Sequence, residues 1–213
     1  MQRWIFWVAA VMIAAVMTGQ AAADDGNYQN YIIGERAAGM GGAAIALARA
    51  VDAAYYNPAG LADTDSNSIS LSASLYGFYD YKVDNGWLPN EDIKVDSFVS
   101  IPATFGSIWK LGDRGAFALS AFIPNKVSAN DLETFLDTDH FFKYSKEDQT
   151  LWIGPSAGFK VGEKLSLGAS IFVVYRTFSW FRDALLGNTG YAWSEDIKYS
   201  DYSLLGVLGA HYQ

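Results

Sequence analysis

The sequence predicts an all-β fold, a transmembrane antiparallel β-barrel of which about six strands are present. Three features lead to this prediction: six segments alternate between apolar and small polar residues, the connections alternate between long and short, and aromatic residues make up 15% of the chain beside only 18% charged residues. Soluble domains usually contain about 25% charged residues, whereas membrane barrels carry aromatic girdles. Because a soluble β-sandwich can also be rich in aromatic residues, the strand pattern decides.

Beyond Asp65, the side chains alternate with a period of two residues, which is typical of strands with one apolar and one polar face. In the first segment, for example, Ile69 and Leu71 alternate with Ser70 and Ser72. The predicted strands are Ile69–Tyr79, Ser97–Lys110, Gly115–Ile123, Thr150–Val161, Lys164–Trp180 and Ser203–Tyr212. Segments of about 9–11 residues match a tilted membrane crossing. We therefore expect the apolar faces to meet lipid and the small polar faces to line a lumen.

The connections between these segments predict a barrel in an outer membrane. Asp80–Asp96, Asn125–Gln149 and Phe181–Tyr202 are long and polar, whereas Leu111–Arg114 and Gly162–Glu163 are tight turns. Outer-membrane barrels have short periplasmic turns and long external loops, and a soluble sandwich has no reason to separate its loops in this way.

Six strands are too few to close a bacterial barrel, which needs about eight. An open edge in lipid would leave backbone groups without hydrogen bonds. The sequence therefore predicts further strands downstream of Gln213, or assembly from several short chains.

The N-terminus predicts export. A cationic start at Arg3 precedes the apolar run Trp4–Met17, and the small residues Ala21–Ala23 follow. Residues 1–23 are thus predicted to be a signal peptide cleaved after Ala23. The alternative, a membrane anchor, needs about 20 apolar residues.

Charge and composition exclude several classes of partner. The net charge is −8 and the pI is about 4.6, which disfavours nucleic acid. The chain has no cysteine, so disulfides and thiolate metal sites are excluded, and neither a metal nor a cofactor is predicted. In the Ala- and Gly-rich region before the strands, Ala43–Ala54 predicts a short helix that Asn57 and Pro58 end.

Two motifs in this region are similar to the N-terminal plug of the FadL/TodX family of outer-membrane fatty-acid and hydrocarbon transporters. They are Gly34–Ala43 (GERAAGMGGA) and Tyr55–Ala62 (YYNPAGLA). Weaker similarities lie in Ile101–Gly106, Ala121–Pro124 and Leu151–Ser156. The resemblance implies a 14-stranded barrel, with residues 24–66 as a small helical plug and residues 67–213 as the first strands.

The resemblance also implies three sets of site residues. The plug motif would comprise Asn57, Pro58, Ala59, Gly39, Gly41 and Gly42. A kink in the third strand would open a lateral gate at Ala121, Phe122 and Pro124. An external ligand groove in the loop after that strand would use Leu132, Phe135, Leu136, Phe141 and Phe142, unless those side chains only pack on one another.

The implied function is passive transport of long-chain fatty acids or other hydrophobic small molecules across the outer membrane, with membrane lipid as the second partner. An alternative is a protein of the same fold that acts in protein secretion or as a porin-like structural protein. Gly39-x-Gly41-x-x-Ala44 also matches a dinucleotide-binding fingerprint, but no βαβ unit follows. An enzyme is not predicted, because neither His140 nor His211 is paired with a strand serine.

Overall fold

A computed structural model describes residues 32–83, 93–135, 140–186 and 191–212. The predicted signal peptide lies outside the described residues. A short helix α1 (Glu35–Gly39) is followed by a 3₁₀ turn (Ala50–Asp52), the helix α2 (Ala53–Tyr56) and a second 3₁₀ turn (Pro58–Asp63). The six strands are β1 (Ser68–Val83), β2 (Ile93–Leu111), β3 (Gly115–Phe135), β4 (His140–Lys160), β5 (Leu165–Leu186) and β6 (Tyr191–Tyr212). No helix in these ranges is long and apolar enough to span a membrane, a result that has no bearing on crossing by strands.

The strands form one antiparallel sheet in the order β1-β2-β3-β4-β5-β6, so each strand pairs with its neighbour along the chain. Within the described ranges β1 and β6 are not paired with each other. The sheet is therefore all-β, antiparallel and open, as a part of a barrel would be.

The prediction of six strands is confirmed, but the prediction of three long loops is wrong. The segment Asn125–Gln149 is largely an extended hairpin, paired from Asn125 with Thr150 to Phe135 with His140. The segments Asp80–Asp96 and Phe181–Tyr202 likewise contain paired extensions of the neighbouring strands. The sequence pattern did not predict these extensions, because charged residues occupy both faces and hide the two-residue period. The backbone hydrogen bonds of a ladder form without an apolar face.

The two short turns are confirmed, because β2 ends at Leu111 before β3 begins at Gly115, and β4 ends at Lys160 before β5 begins at Leu165. At the opposite end of the sheet all three hairpins are lengthened. Much of the asymmetry that the sequence showed thus lies in the length of the paired strands.

The two faces of the sheet differ in burial and in the size of their side chains. On β5, Ile171 is 60% exposed while its neighbour Phe172 is fully buried. Other large apolar side chains on the exposed face are Ile69, Leu71, Phe105, Leu119, Ile153, Val173, Leu204 and Leu208. Small or hydroxylated side chains on the covered face are Thr104, Ala116, Ala118, Ser120, Ser156, Ser166 and Ser170. Most of the apolar area of the strands is thus left exposed on one side.

The covered face is buried under the helical region that precedes β1. The predicted helix Ala43–Ala54 is wrong for most of its length, because regular helix begins only at Ala53. Ala50 has a φ of 59°, which a continuous helix cannot contain. The end of the helix before Asn57 and Pro58 is confirmed.

Four aromatic rings form the centre of the core between this region and the sheet. The ring of Tyr55 lies 5.3 Å from that of Phe122 and 5.1 Å from that of Trp152. The ring of Phe172 completes the cluster, 5.7 Å from Phe122 and 5.9 Å from Trp152. These distances are typical of favourable ring pairs.

The adjacent residues Phe172 and Ile171 give a matched test of which face is the core. We expect Phe172→Ala to lower the free energy of unfolding by about 3–5 kcal/mol, because it empties a packed site. Ile171→Ala removes a side chain that packs on no protein core, and a much smaller change is expected. Urea unfolding of the protein in detergent micelles measures both, and a larger loss for Ile171→Ala would contradict this assignment of the faces.

Candidate functional site

Asn57 joins the helical region to the far edge of the sheet. Its side-chain oxygen accepts a hydrogen bond from the backbone N–H of Ala59 at 3.2 Å. Its side-chain amide donates to the carbonyl of Ala210 in β6 at 3.1 Å and to the carbonyl of Ile45 at 3.3 Å. Pro58 then opens the second 3₁₀ turn, a position where its missing N–H costs nothing. The Asn-Pro-Ala motif is therefore held by both its side chain and its backbone.

A row of three glycines lets this motif lie directly on the backbone of the sheet. Gly158 of β4 is paired with Gly168 of β5, which is paired with Gly209 of β6. A Cβ on Gly168 would overlap the backbone of Pro58, and one on Gly209 would lie 2.8 Å from Pro58 Cδ. Real Cβ atoms do not approach so closely, so only glycine permits this packing.

Further contacts fix residues 50–63, which we call the anchored segment. Val51 fits against Gly106 of β2, where a Cβ would lie 2.6 Å from Val51 Cγ1. Ser170 Oγ of β5 donates a hydrogen bond to the carbonyl of Ala54 at 2.8 Å. The segment thus contacts strands near both edges of the described sheet.

The end of the anchored segment is held by polar side chains of two strands. Asp63 lies 3.2 Å from Lys160 Nζ of β4 and 3.3 Å from His211 Nδ1 of β6. Side chains of two strands thus contact one carboxylate at the short-turn end of the sheet.

The glycines predicted to belong to the plug motif lie apart from Asn57. Gly39 ends α1, and Gly41 and Gly42 follow with φ of 63° and 90°. These angles favour glycine and form a tight turn. A Cβ on Gly39 or Gly41 would meet nothing within 4 Å, so close packing does not explain these two glycines.

The predicted kink region contains an irregularity in β3. Phe122 pairs with Trp152, and Asn125 pairs with Thr150, so β3 has one residue more than β4 over this interval. Such a β-bulge bends a strand. Pro124, which is buried, has no N–H for the ladder.

The bulge coincides with the end of the ladder between β2 and β3. The last pair is Thr104 with Phe122. Beyond it β2 stays paired with β1 as far as Ile93, while β3 stays paired with β4 as far as Phe135. We call this interval without described pairing the β2–β3 gap. Phe122 faces the buried core beside it, and Ala121 is half-buried.

Four of the five residues of the predicted external groove lie in strands and not in a loop. Leu132, Phe135, Phe141 and Phe142 belong to the extended hairpin of β3 and β4, and Leu136 lies outside the described residues. In the register, Leu132 and Phe141 belong to one set of alternating positions, and Phe135 and Phe142 to the other. The prediction of a loop is wrong here, since the ladder continues through these residues.

The covered face also carries a cavity that sequence reasoning missed. It has a volume of about 550 Å³, and its walls include Thr150, Trp152, Val174, Arg176 and Leu205. A period of two does place Thr150 and Trp152 on one face. On β6, the wall residues Tyr199–Asp201 lie in a segment that was predicted to be a loop, whereas Ser203–Leu205 lie in a predicted strand. The register that joins the two sides could not be predicted.

A buried ion pair lies beside this cavity. Asp148 accepts two hydrogen bonds from Arg176, at 3.0 Å from Nε and 2.9 Å from Nη2. The guanidinium also lies 5.8 Å from the ring of Phe178 and 6.0 Å from that of Tyr199. A bidentate pair satisfies much of the hydrogen-bonding capacity of both groups, so charge is tolerated on a face otherwise lined by small and aromatic residues.

Comparison with known proteins gives one informative match. No protein-family model and no curated protein matches the sequence. Among solved structures, the crystal structure of a Pseudomonas aeruginosa FadL homologue matches with a TM-score of 0.55 and 17% sequence identity. The chain has a FadL-like fold. The match covers 81% of this chain and 46% of that chain, so this chain spans about half the length of the homologue. At this identity the likeness concerns the fold alone.

Replacing one glycine of the row tests how tightly the anchored segment is held. We expect Gly168→Ala to cost about 1–3 kcal/mol of stability, because the added methyl group must displace Pro58. Backbone hydrogen exchange in the anchored segment should also accelerate. The matched control is Gly206→Ala in β6, where a Cβ meets nothing within 4 Å. Equal exchange rates in the two variants would contradict the close packing.

Proposed function

We propose that this FadL-like chain forms part of an outer-membrane conduit for long-chain fatty acids or similar hydrophobic molecules, with residues 24–66 as the plug of its barrel. The observation that carries the proposal is the arrangement of the two faces of the sheet. Large apolar side chains such as Leu71 and Ile171 are exposed, while the small face is occupied by the anchored segment. A surface of this kind is stable in lipid and prone to aggregation in water.

The interior offers suitable surfaces for a hydrophobic substrate. The aromatic cluster of Tyr55, Phe122, Trp152 and Phe172 borders the cavity through Trp152. Each CH₂ group removed from water stabilises binding by about 0.8 kcal/mol, so capture needs no catalytic group. The substrate must still leave the lumen, and transport of this kind uses no energy source.

The β2–β3 gap is our candidate for that exit. Backbone pairing ends at Thr104 and Phe122, and the bulge that contains Pro124 bends β3 at the same point. A lateral exit delivers an apolar chain directly into the membrane, and the anchored segment can stay in place. The proposed gate residues are Ala121, Phe122 and Pro124. The Asn-Pro-Ala motif holds the plug in place against the sheet.

The location of the protein follows from the same argument. A sheet with this exposed apolar face needs a membrane, and residues 1–23 have the features of a cleaved export signal. We therefore propose an outer membrane as the site of action, with the short turns on the periplasmic side.

Removing the bulge tests the transport proposal. We expect deletion of Pro124 to restore even pairing of β3, extend the β2–β3 ladder and reduce uptake of radiolabelled oleate to background. The matched control is Pro155→Ala, which changes a strand proline that is paired with Leu119 away from the gap. Membrane fractionation checks that both variants reach the outer membrane.

Two results of that experiment count against the proposal. Uptake in the Pro124 deletion equal to wild type would remove the gap as the exit. Equal uptake by cells with and without the gene would contradict transport itself, and would favour a role in secretion or structure.

A further inference from the structure

A second cavity lies between the N-terminal part of the helical region and the edge formed by β1 and β2. It has a volume of about 230 Å³, and its walls include Arg36, Arg49, Ser70 and Thr104. It is less than half as large as the cavity beside Trp152, and charged and hydroxylated side chains make up most of its walls. The cavity therefore suits a small polar molecule.

The charges around this cavity balance one another. Two acidic and two basic side chains line it, namely Glu35, Asp52, Arg36 and Arg49. Within the ranges that the structure describes, no ion pair joins any of the four to another residue. A ligand with a single charge would be attracted by one pair of side chains and repelled by the other, whereas a ligand that carries both signs can be attracted by both pairs.

Thr104 adds a hydrogen-bonding group that is not in use. It lines the cavity and is 5% exposed, and its Oγ1 has no hydrogen-bond partner within the described ranges. Buried hydroxyl groups almost always have a partner, since leaving one without is costly. A polar ligand in the cavity would supply that partner.

Asp52 holds a carboxylate at a fixed place in the wall. Its side chain packs on Gly34, where a Cβ would lie 2.7 Å from Asp52 Cγ, so only glycine leaves room for it. Burial raises the pKa of the Asp52 carboxyl, a backbone hydrogen bond and Arg36 lower it, and Glu35 raises it. The carboxylate is thus partly desolvated and has no close cation, which an ammonium group would supply.

The two arginines provide the opposite charge. Arg36 and Arg49 are both exposed at the cavity, and a guanidinium group can form paired hydrogen bonds with the two oxygens of an acid group. Arg49 precedes Ala50, which has a φ of 59° and is the one residue other than glycine with a positive φ in the described ranges. Such strain persists only where the surrounding structure enforces it, and it clusters at ligand-binding sites.

We propose that this cavity binds a small zwitterion, with Asp52 as the partner of its ammonium group, Arg36 and Arg49 as the partners of its acid group, and Thr104 as a further hydrogen-bonding group. A free amino acid and the zwitterionic head group of a phospholipid share this chemistry. The proposal is independent of the transport of hydrophobic molecules, since it concerns a polar ligand and a cavity whose walls contain no residue of the aromatic cluster.

The test compares molecules that differ only in the charges that they carry. Binding of γ-aminobutyrate, butyrate and butylamine to the full chain in a non-ionic detergent is measured by isothermal titration calorimetry at neutral pH. We expect the zwitterion to bind roughly tenfold more tightly than either singly charged molecule, because it gains one further charge-assisted contact. Glycerophosphoethanolamine and glycerophosphoglycerol, the head groups of a zwitterionic and an anionic phospholipid, give the same comparison for a lipid source, and the tighter binder of the two zwitterions identifies the source.

Two variants each remove one sign of charge from the cavity. D52N should bring the affinities for γ-aminobutyrate and butyrate together, because the ammonium group loses its partner. R36Q/R49Q should bring the affinities for γ-aminobutyrate and butylamine together, because the acid group loses its partners. Each variant should keep the other preference, and Thr104→Val should weaken binding of the zwitterion by a smaller factor.

A control separates this site from general effects of charge. K110Q changes an exposed lysine at the other end of β2 and should leave all of these affinities unchanged. Wild type that binds the zwitterions no more tightly than the singly charged molecules would overturn the site, and so would unchanged preferences in either D52N or R36Q/R49Q. Oleate uptake tests the proposed function separately, so failure of zwitterion binding would leave that function standing.

Discussion

The structure depends on one sheet with two different faces. The face with small side chains packs against the helical region before β1, and the face with large apolar side chains is exposed. The glycine row of Gly158, Gly168 and Gly209 permits the closest contact, because the Pro58 backbone lies where side chains would otherwise stand. Larger residues there would lift the anchored segment from the sheet and break the hydrogen bond from Asn57 to Ala210. Apolar burial on the covered face comes from the aromatic cluster and from smaller residues such as Val51, Leu61 and Ile108, whereas large apolar side chains on the other face stay exposed.

This arrangement explains how a fixed segment and an open path can exist in one sheet. The anchored segment contacts β2, β4, β5 and β6 by close packing, by hydrogen bonds and through the contacts of Asp63 with Lys160 and His211. The irregular pairing lies elsewhere, where Pro124 interrupts β3 and the ladder to β2 ends at Thr104. In the proposed conduit, the plug stays bound to the sheet and the substrate leaves through the β2–β3 gap.

The sequence predicted the parts of this fold that have a local signal. Two-residue alternation found all six strands, and the turns at Leu111–Arg114 and Gly162–Glu163 were correct because small hairpin turns depend on few residues. The hairpin extensions were not predicted, since residues such as Asp148 and Lys146 lie in strands whose apolar residues do not alternate regularly with polar ones. The helix over Ala43–Ala54 was also wrong, because helix propensity cannot register the positive φ of Ala50.

The candidate site was predictable only in part for the same reason. The Asn-Pro-Ala motif was visible in the sequence. Its hydrogen-bond partner in β6, the carbonyl of Ala210, lies 153 positions further along the chain. The pair of Asp148 and Arg176 joins a predicted loop to a predicted strand. Thr104 marks the end of the ladder between β2 and β3, which no sequence pattern indicates. Contacts of this kind depend on the register between strands, which a single sequence does not contain.

The most direct test of the account determines which of the two sets of alternating side chains in β5 contacts lipid. The chain has no cysteine, so single cysteines at Leu167, Ala169 and Ile171, and at Ser166, Ser170 and Phe172, can carry nitroxide labels in lipid vesicles. The account predicts that collisions with dissolved oxygen are frequent for the first three labels and rare for the second three. Frequent collisions at the second set, or contact of the first set with a water-soluble quencher, would contradict it.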